Sequence, residues 1–183
     1  MIQYQVAIVV GSLRQESLNR KLASAIVRLA PSDFGFKQVN IGALPLFNQD
    51  DEATPSESVK QFKSEISAAD GVVFVTPEYN RSIPGALKNA IDIASRPYGQ
   101  NSWAGKPAAV IGVSPGATGT ALAQQHLRNI LAHLDMPTLG QPELFLQAKE
   151  GLFDDAGNIG AGSKQFLQNW MDKYVDWVKK HTL

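Results

Sequence analysis

The chain has 183 residues, 44% of them hydrophobic and 19% charged, which suits one compact domain, residues 1–183, with a substantial core. Lysine plus arginine and aspartate plus glutamate both count 17, so no bulk field favours nucleic acid or an anionic membrane surface. The absence of cysteine excludes disulfides, thiolate nucleophiles, zinc–thiolate sites and cysteine-ligated iron–sulfur clusters.

The opening MIQYQVAIVVGS lacks the basic start and cleavage site of a signal peptide, and reads as a strand entering a turn. Val6–Val10 is a continuous apolar run ending at Gly11. Helix-period apolar residues follow at Leu18, Leu22, Ile26 and Leu29, stopped near Pro31. Phe36–Ile41 is a weaker, alternating strand candidate. Pro55 and Ser56 open a helix with Val59, Phe62, Ile66 and Ala69 on one face.

Gly71–Thr76 is the next strand, valine-rich as a strand covered on both faces should be. The longest apolar runs, such as Val72–Val75 within it, fall far short of the roughly 20 residues of a membrane span. Pro84 stands where a first-turn helical proline belongs, and Leu87, Ala90, Ile91 and Ala94 continue that helix. Ala108–Val113 is a fourth strand, and a helix from Thr120 to Leu134 carries Leu127, Ile130, Leu131 and Leu134. A fifth strand is placed near Met136–Leu139, with a second candidate at Leu144–Leu146. An amphipathic helix through Phe166, Trp170, Tyr174 and Trp177 closes the chain.

Repeated β–α units with buried strands predict a three-layer, doubly wound α/β fold: a parallel sheet with helices on both faces and right-handed crossovers. Five units fit the strand order 2-1-3-4-5 better than the six-stranded dinucleotide order. Strands one and three then flank the switch point, so unusual loops should follow strands one, three and four. Such loops are found there.

The first is Gly11-Ser-Leu-Arg-Gln-Glu-Ser-Leu-Asn-Arg20. Gly11 permits a tight exit from the strand. Ser12, Ser17 and Asn19 offer short hydrogen-bonding side chains, and Arg14 adds a cation beside a helix N-terminus whose N–H groups already favour phosphate. Plain capping explains Ser17 alone. The P-loop ending and the three-glycine dinucleotide fingerprint are both missing, so the cradle suits a monophosphate. The second loop, Thr76 to Gly85, is braced by Pro77 and Pro84. It offers the backbone N–H groups of Glu78, Tyr79 and Asn80 as a ledge for a flat heteroaromatic ring, which Tyr79 is placed to cover. The third, Ser114-Pro-Gly-Ala-Thr-Gly119, supplies Gly116 and Gly119 for close backbone approach. His126 and His133 lie two helical turns apart, too far for easy chelation, so no metal site is expected.

At these loops the sequence resembles the NADPH-dependent FMN reductase family, in particular its chromate and quinone reductase branch. The resemblance rests on GSLRxxSxNRKLA at Gly11–Ala23 and PEYNxSxPGxLKNAID at Pro77–Asp92, with support from Ala104–Arg128. It implies a flavodoxin-like fold, bound FMN, and homodimers or homotetramers in a bacterial cytoplasm. It implies that Ser12, Arg14, Ser17, Leu18 (through its backbone) and Asn19 hold the FMN phosphate. Pro77, Glu78, Tyr79 and Asn80 would line the isoalloxazine, and Ser114 and Gly116 would close another side.

The implied reaction is ping-pong: NAD(P)H reduces the flavin and leaves, and a small oxidant (a quinone, chromate, an azo or nitro compound, a free flavin) takes its place. The flavin carries the chemistry, so no catalytic side chain is assigned. Arg81 and Arg96 are candidates to attract anionic substrate groups; the plainer alternatives are a solvated loop arginine and a helix-end arginine. Crowded aromatics on the last helix and apolar residues on the helix after Pro84 are further hints of self-association. The competing class is a flavodoxin-type electron carrier that docks to a redox partner without NAD(P)H turnover, and the balanced charge offers no docking field for it.

Overall fold

The computed structural model describes residues 1–182. Strands β1 (Tyr4–Val10), β2 (Phe34–Val39), β3 (Gly71–Val75), β4 (Ala108–Ser114) and β5 (Phe145–Gln147) alternate with helices α1 (Leu18–Ile26), α2 (Glu57–Ser67), α3 (Gly85–Ser95), α4 (Ala121–His133) and α5 (Ala161–His181). The sheet order is β2-β1-β3-β4-β5 and every pair is parallel. This is the flavodoxin-like doubly wound arrangement expected from the alternation.

The period of two along each strand builds two cores. Val6, Ile8 and Val10 of β1 join Val73 and Val75 of β3 and Ala109, Ile111 and Val113 of β4 in a layer packed against α1 and α5. The intervening Ala7, Val9, Val72, Phe74 and Val110 face Phe62, Ile66, Leu87, Ile91 and Leu127 on α2, α3 and α4. Both faces of the central strands are therefore covered, which explains their unbroken apolar sequence. Each fully buried side chain of this size contributes about 1.5–3 kcal/mol by leaving water. Trp103 is fully buried at the centre of the second core, with its indole N–H donated to Ile91 O at 3.0 Å.

Several expectations shift. β2 begins and ends two residues earlier than Phe36–Ile41, because its register pairs Tyr4 with Phe34 and Val9 with Val39. Met136–Leu139 is not a strand: Thr138 makes one isolated bridge with Ala108, and Pro137 has no N–H to extend the ladder. The second candidate provides the edge strand instead, with Gly112–Ser114 paired to Phe145–Gln147. Pro84 precedes α3 as its cap rather than lying in its first turn.

Trp170 and Tyr174 of α5, like Leu87, Ala90, Ile91 and Ala94 of α3, are buried inside the monomer. The burial of these six is core packing, whereas Phe166 of α5 is 51% exposed. Among the described residues no helix is long and apolar enough to cross a membrane, and no group of three or more histidines and carboxylates is placed to hold a metal.

Candidate functional site

The carboxyl ends of β1, β3 and β4 lie side by side, and three loops rise from them. Gly11 N–H donates to Val75 O at 2.9 Å and Thr76 N–H to Ile111 O at 2.9 Å, so loops 1 and 2 leave the sheet stitched to their neighbours. A Cβ at Gly11 would lie 3.2 Å from both Pro77 Cδ and Leu87 Cδ2. A Cβ at Gly112 would lie 2.2 Å from Thr76 O and from Thr120 Oγ1. At Gly11 a side chain would be tight, and at Gly112 in β4 the packing leaves no room for one.

Loop 1 runs from Gly11 to Ser17. Ser17 caps α1, its Oγ accepting the Arg20 N–H at 3.3 Å. Ser12 and Ser17 are buried, while Leu13 and Arg14 between them are exposed. Among the described residues, none of the backbone N–H groups from Ser12 to Asn19 donates to another protein group, and Arg14 makes no ion pair. A row of open N–H groups ending on a helix N-terminus, with two hydroxyls and a free guanidinium beside it, fits a phosphate.

Asn19 departs from the sequence expectation. Its side chain is buried and turned to β4, where Oδ1 accepts from Val113 N–H at 3.0 Å and Nδ2 donates to Val113 O at 2.9 Å. β3 stops pairing with β4 at Ile111, so the next peptide groups facing that way lack a strand partner. The Asn19 amide stands in for the missing peptide. It is a structural clip first, with its backbone N–H left for a ligand, as is that of Leu18.

Loop 2 contains a tight hairpin. Tyr79 and Ser82 exchange backbone bonds at 2.9 and 3.0 Å, and between them Asn80 and Arg81 have φ of 51° and 64°. Left-handed backbone at both central residues is the type I′ pattern, tolerated by asparagine and costly for arginine. The Tyr79 N–H is thus engaged within the hairpin and not free as expected; those of Glu78 and Asn80 remain open. Tyr79 is 47% exposed, and Pro77 is buried. The Glu78 carboxylate turns away toward α4, where it accepts from Leu122 N–H at 3.0 Å and Ala123 N–H at 3.2 Å.

Loop 3 is closed by Ser114 Oγ, which donates to Gly119 O at 2.6 Å. Gly119 has φ 59°, and a Cβ there would meet the Phe145 carbonyl carbon at 2.6 Å, so glycine is required. Gly116 is exposed, and a Cβ on it would have only Ser114 Oγ nearby, at 3.7 Å. Open space at Gly116, the open N–H groups of loops 1 and 2, those of Gly116, Ala117 and Thr118 in loop 3, and the exposed Tyr79 fit a flat ring system joined to a phosphate.

The two candidate substrate arginines part company. Arg81 is exposed on the hairpin, 3.4 Å from Glu78 Oε1. Arg96 ends α3, where its Nε and Nη2 bind Glu52 at 2.6 and 3.3 Å, a partnership that raises its pKa. It lines a groove of about 670 Å³ together with Leu46, Phe47, Val59 and Lys63. No residue of the three loops lines that groove. Arg96 is thus engaged with Glu52 in that groove and does not sit on the three loops. The Lys63 ammonium, which donates to Arg96 O and Gln100 O, has its pKa lowered by burial, with Glu52 opposing the shift.

Sequence reasoning missed Thr76, Gly112, Ser82 and His126. Ser82 Oγ lies 3.0 Å from His126 Nδ1, joining loop 2 to α4. Nothing local in the sequence signals these contacts, which span 44 residues in that case.

Residues 4–151 match a protein family described as NADPH-dependent FMN reductase. A 2-hydroxy-1,4-benzoquinone reductase from Burkholderia sp is 52% identical over 176 residues, 96% of each chain. A quinone reductase from Pseudomonas putida is 54% identical over 177 residues, covering 96% of this chain and 95% of that one. The solved structure of FerB, a flavoenzyme NAD(P)H:(acceptor) oxidoreductase from Paracoccus denitrificans, superimposes with a TM-score of 0.94 at 47% identity, covering 97% of this chain and 98% of that one.

Proposed function

Because the chain belongs to the NADPH-dependent FMN reductase family, we propose that it is an NAD(P)H-dependent, FMN-containing quinone reductase whose two substrates share one crevice in turn. The observation that carries the reading is loop 1, with its open N–H groups from Ser12 to Asn19 beside the unpaired Arg14. A phosphate there is met by helix N-terminal donors and one cation, enough for a monophosphate. FMN, when bound, supplies a centre that accepts and returns two electrons.

The chain's own part is positioning. Ser12, Arg14, Ser17 and the Leu18 and Asn19 backbone hold the phosphate. Pro77 and the open N–H groups of Glu78 and Asn80 would hold the ring. Gly116 leaves room on the loop 3 side, next to Ser114. Tyr79 flanks the open face where nicotinamide and then quinone stack. Arg81 adds a cation beside that face and attracts the anionic groups of NAD(P)H. No side chain is required as acid or base, so one crevice serves NAD(P)H and chemically varied oxidants, with chromate, azo and nitro compounds and free flavins as further acceptors.

The protein acts in the cytoplasm as a homodimer or homotetramer. Exposed Leu46 and Tyr98, at 84% and 91%, support an oligomer better than the buried aromatics of α5 do.

Stopped-flow measurement of each half-reaction, with both nicotinamide nucleotides and a quinone panel, tests the reading. Nucleotide should bleach the flavin without quinone present, quinone should restore it without nucleotide, and initial-rate lines should be parallel. Intersecting lines, or a released cofactor other than FMN in mass spectrometry, would refute it.

A further inference from the structure

Helix α4 begins without help from its own cap. Thr120 occupies the N-cap position, yet its side chain makes no capping bond and instead accepts from Gln124 Nε2 at 3.0 Å. The N–H groups that a cap residue ordinarily serves are those of the second and third helical residues. Here these are Leu122 and Ala123, and the acceptor is Glu78 Oε2, brought from loop 2 across 44 residues of chain. Glu78 has only 8% of its side chain exposed. A carboxylate at this end of a helix is favoured by the dipole as well as by the two bonds.

One helical turn further along the same face, His126 Nδ1 meets Ser82 Oγ. Between these attachments lies the hairpin of Tyr79 to Ser82, held by its two mutual backbone bonds. Both legs of loop 2 are thus fastened to α4, and loop 3 runs directly into α4. Loop 2 is thereby tied to the helix into which loop 3 runs.

We propose that Glu78 is a positioning residue of the flavin site: its side chain caps α4 in place of Thr120 and so fixes the open N–H groups of loop 2 relative to those of loop 3. The role rests on the FMN reading above. It also closes the α4 terminus to anions, which directs a ligand's phosphate to loop 1 and α1.

The experiment compares Glu78→Ala, Glu78→Gln and Ser82→Ala with the wild-type chain in two measurements. The first is hydrogen–deuterium exchange of the flavin-free protein. Glu78→Ala should accelerate exchange in residues 78–82 and in the first turn of α4 together, and Ser82→Ala should do so more weakly. The second is titration with FMN and with riboflavin, which lacks the phosphate. Because Glu78 acts on ring recognition, Glu78→Ala should raise both dissociation constants by the same factor, on the order of tenfold. Glu78→Gln keeps one carbonyl acceptor and should recover part of the loss.

Unchanged exchange in the first turn of α4, unchanged flavin affinity, or a loss confined to FMN would each overturn the proposal. If Glu78→Ala does not fold, the same comparisons with Glu78→Gln and Ser82→Ala decide it. A wild-type chain that binds neither flavin would overturn the FMN reading and the positioning role with it, while the exchange data would still establish whether Glu78 caps α4.

Discussion

Replacing Asn19 by alanine separates two roles that the same side chain was eligible to fill. Asn19 is buried, and its amide makes both of its protein bonds to Val113, itself buried at the end of β4. Alanine would leave one N–H and one C=O of Val113 without partners in a space too small for easy hydration. An orphaned buried group costs about 1–3 kcal/mol, so the pair implies a loss of about 2–4 kcal/mol after some relaxation. For a domain of this size each kcal/mol lowers Tm by about 2–4 °C, giving a fall of roughly 5–15 °C. Asn19→Asp should be nearly as damaging, because it keeps the acceptor for Val113 N–H but sets a carboxylate against Val113 O. The assay is urea and thermal unfolding of protein stripped of flavin, since bound ligand adds stability by mass action. A flavin-free loss below about 1 kcal/mol would refute the clip. So would a loss seen only as weaker FMN binding, which would return Asn19 to the phosphate site.

Three further outcomes follow from the same geometry. Arg14→Ala should weaken FMN binding by about 10–100-fold while leaving riboflavin affinity and flavin-free stability unchanged, as titration of both flavins would show. Arg96→Ala should leave kcat/KM for NAD(P)H nearly unchanged and lower stability only slightly, because its ion pair with Glu52 is partly exposed; a tenfold fall in kcat/KM would make it a substrate contact. Tyr174 is fully buried, its hydroxyl has no partner among the described residues, and burial pushes its phenol well above the ordinary 10.0. Below that value both states keep the proton and stability is insensitive to it; above it only the unfolded state ionises, so stability falls as pH rises. Tyr174→Phe should therefore be neutral or stabilising near pH 7 and should flatten the alkaline decline in urea melts at about pH 11.

The sheet order was legible in the sequence because it follows from quantities that are local. Val72–Val75 is apolar without a break, and only a strand covered on both faces needs that. The site's location followed from the same order, since the carboxyl ends of strands one and three adjoin at the switch point. What each polar residue does there was not legible. Asn19 and Val113 are 94 residues apart, and no local pattern distinguishes an amide aimed at a phosphate from one aimed at a strand end. The same holds for Arg96, where the partner Glu52 lies in the long connection before α2. The fifth strand was ambiguous for a different reason. Met136 and Leu139 are apolar because both are buried in the domain, yet Pro137 cannot extend a ladder, so burial and strand pairing part there.

These reassignments share a direction that bears on the chemistry. Asn19 holds β4, Glu78 holds α4, Ser114 holds the Gly119 carbonyl, and Arg96 holds Glu52. Side chains whose functional groups serve the scaffold present little specific chemistry to the crevice. What faces it is backbone N–H, glycine, the Tyr79 ring and the exposed charges of Arg14 and Arg81. Backbone donors recognise a flat ring with polar edges by shape and spacing, and they hold it tightly only if the loops carrying them are rigid. The scaffold bonds supply that rigidity. An oxidant that then stacks on the exposed face meets an aromatic surface and a cation, and no donor set tailored to one molecule. A site built this way is selective for its cofactor and permissive for its acceptor, so acceptor preference among quinones should follow reduction potential and size more than the pattern of polar substituents.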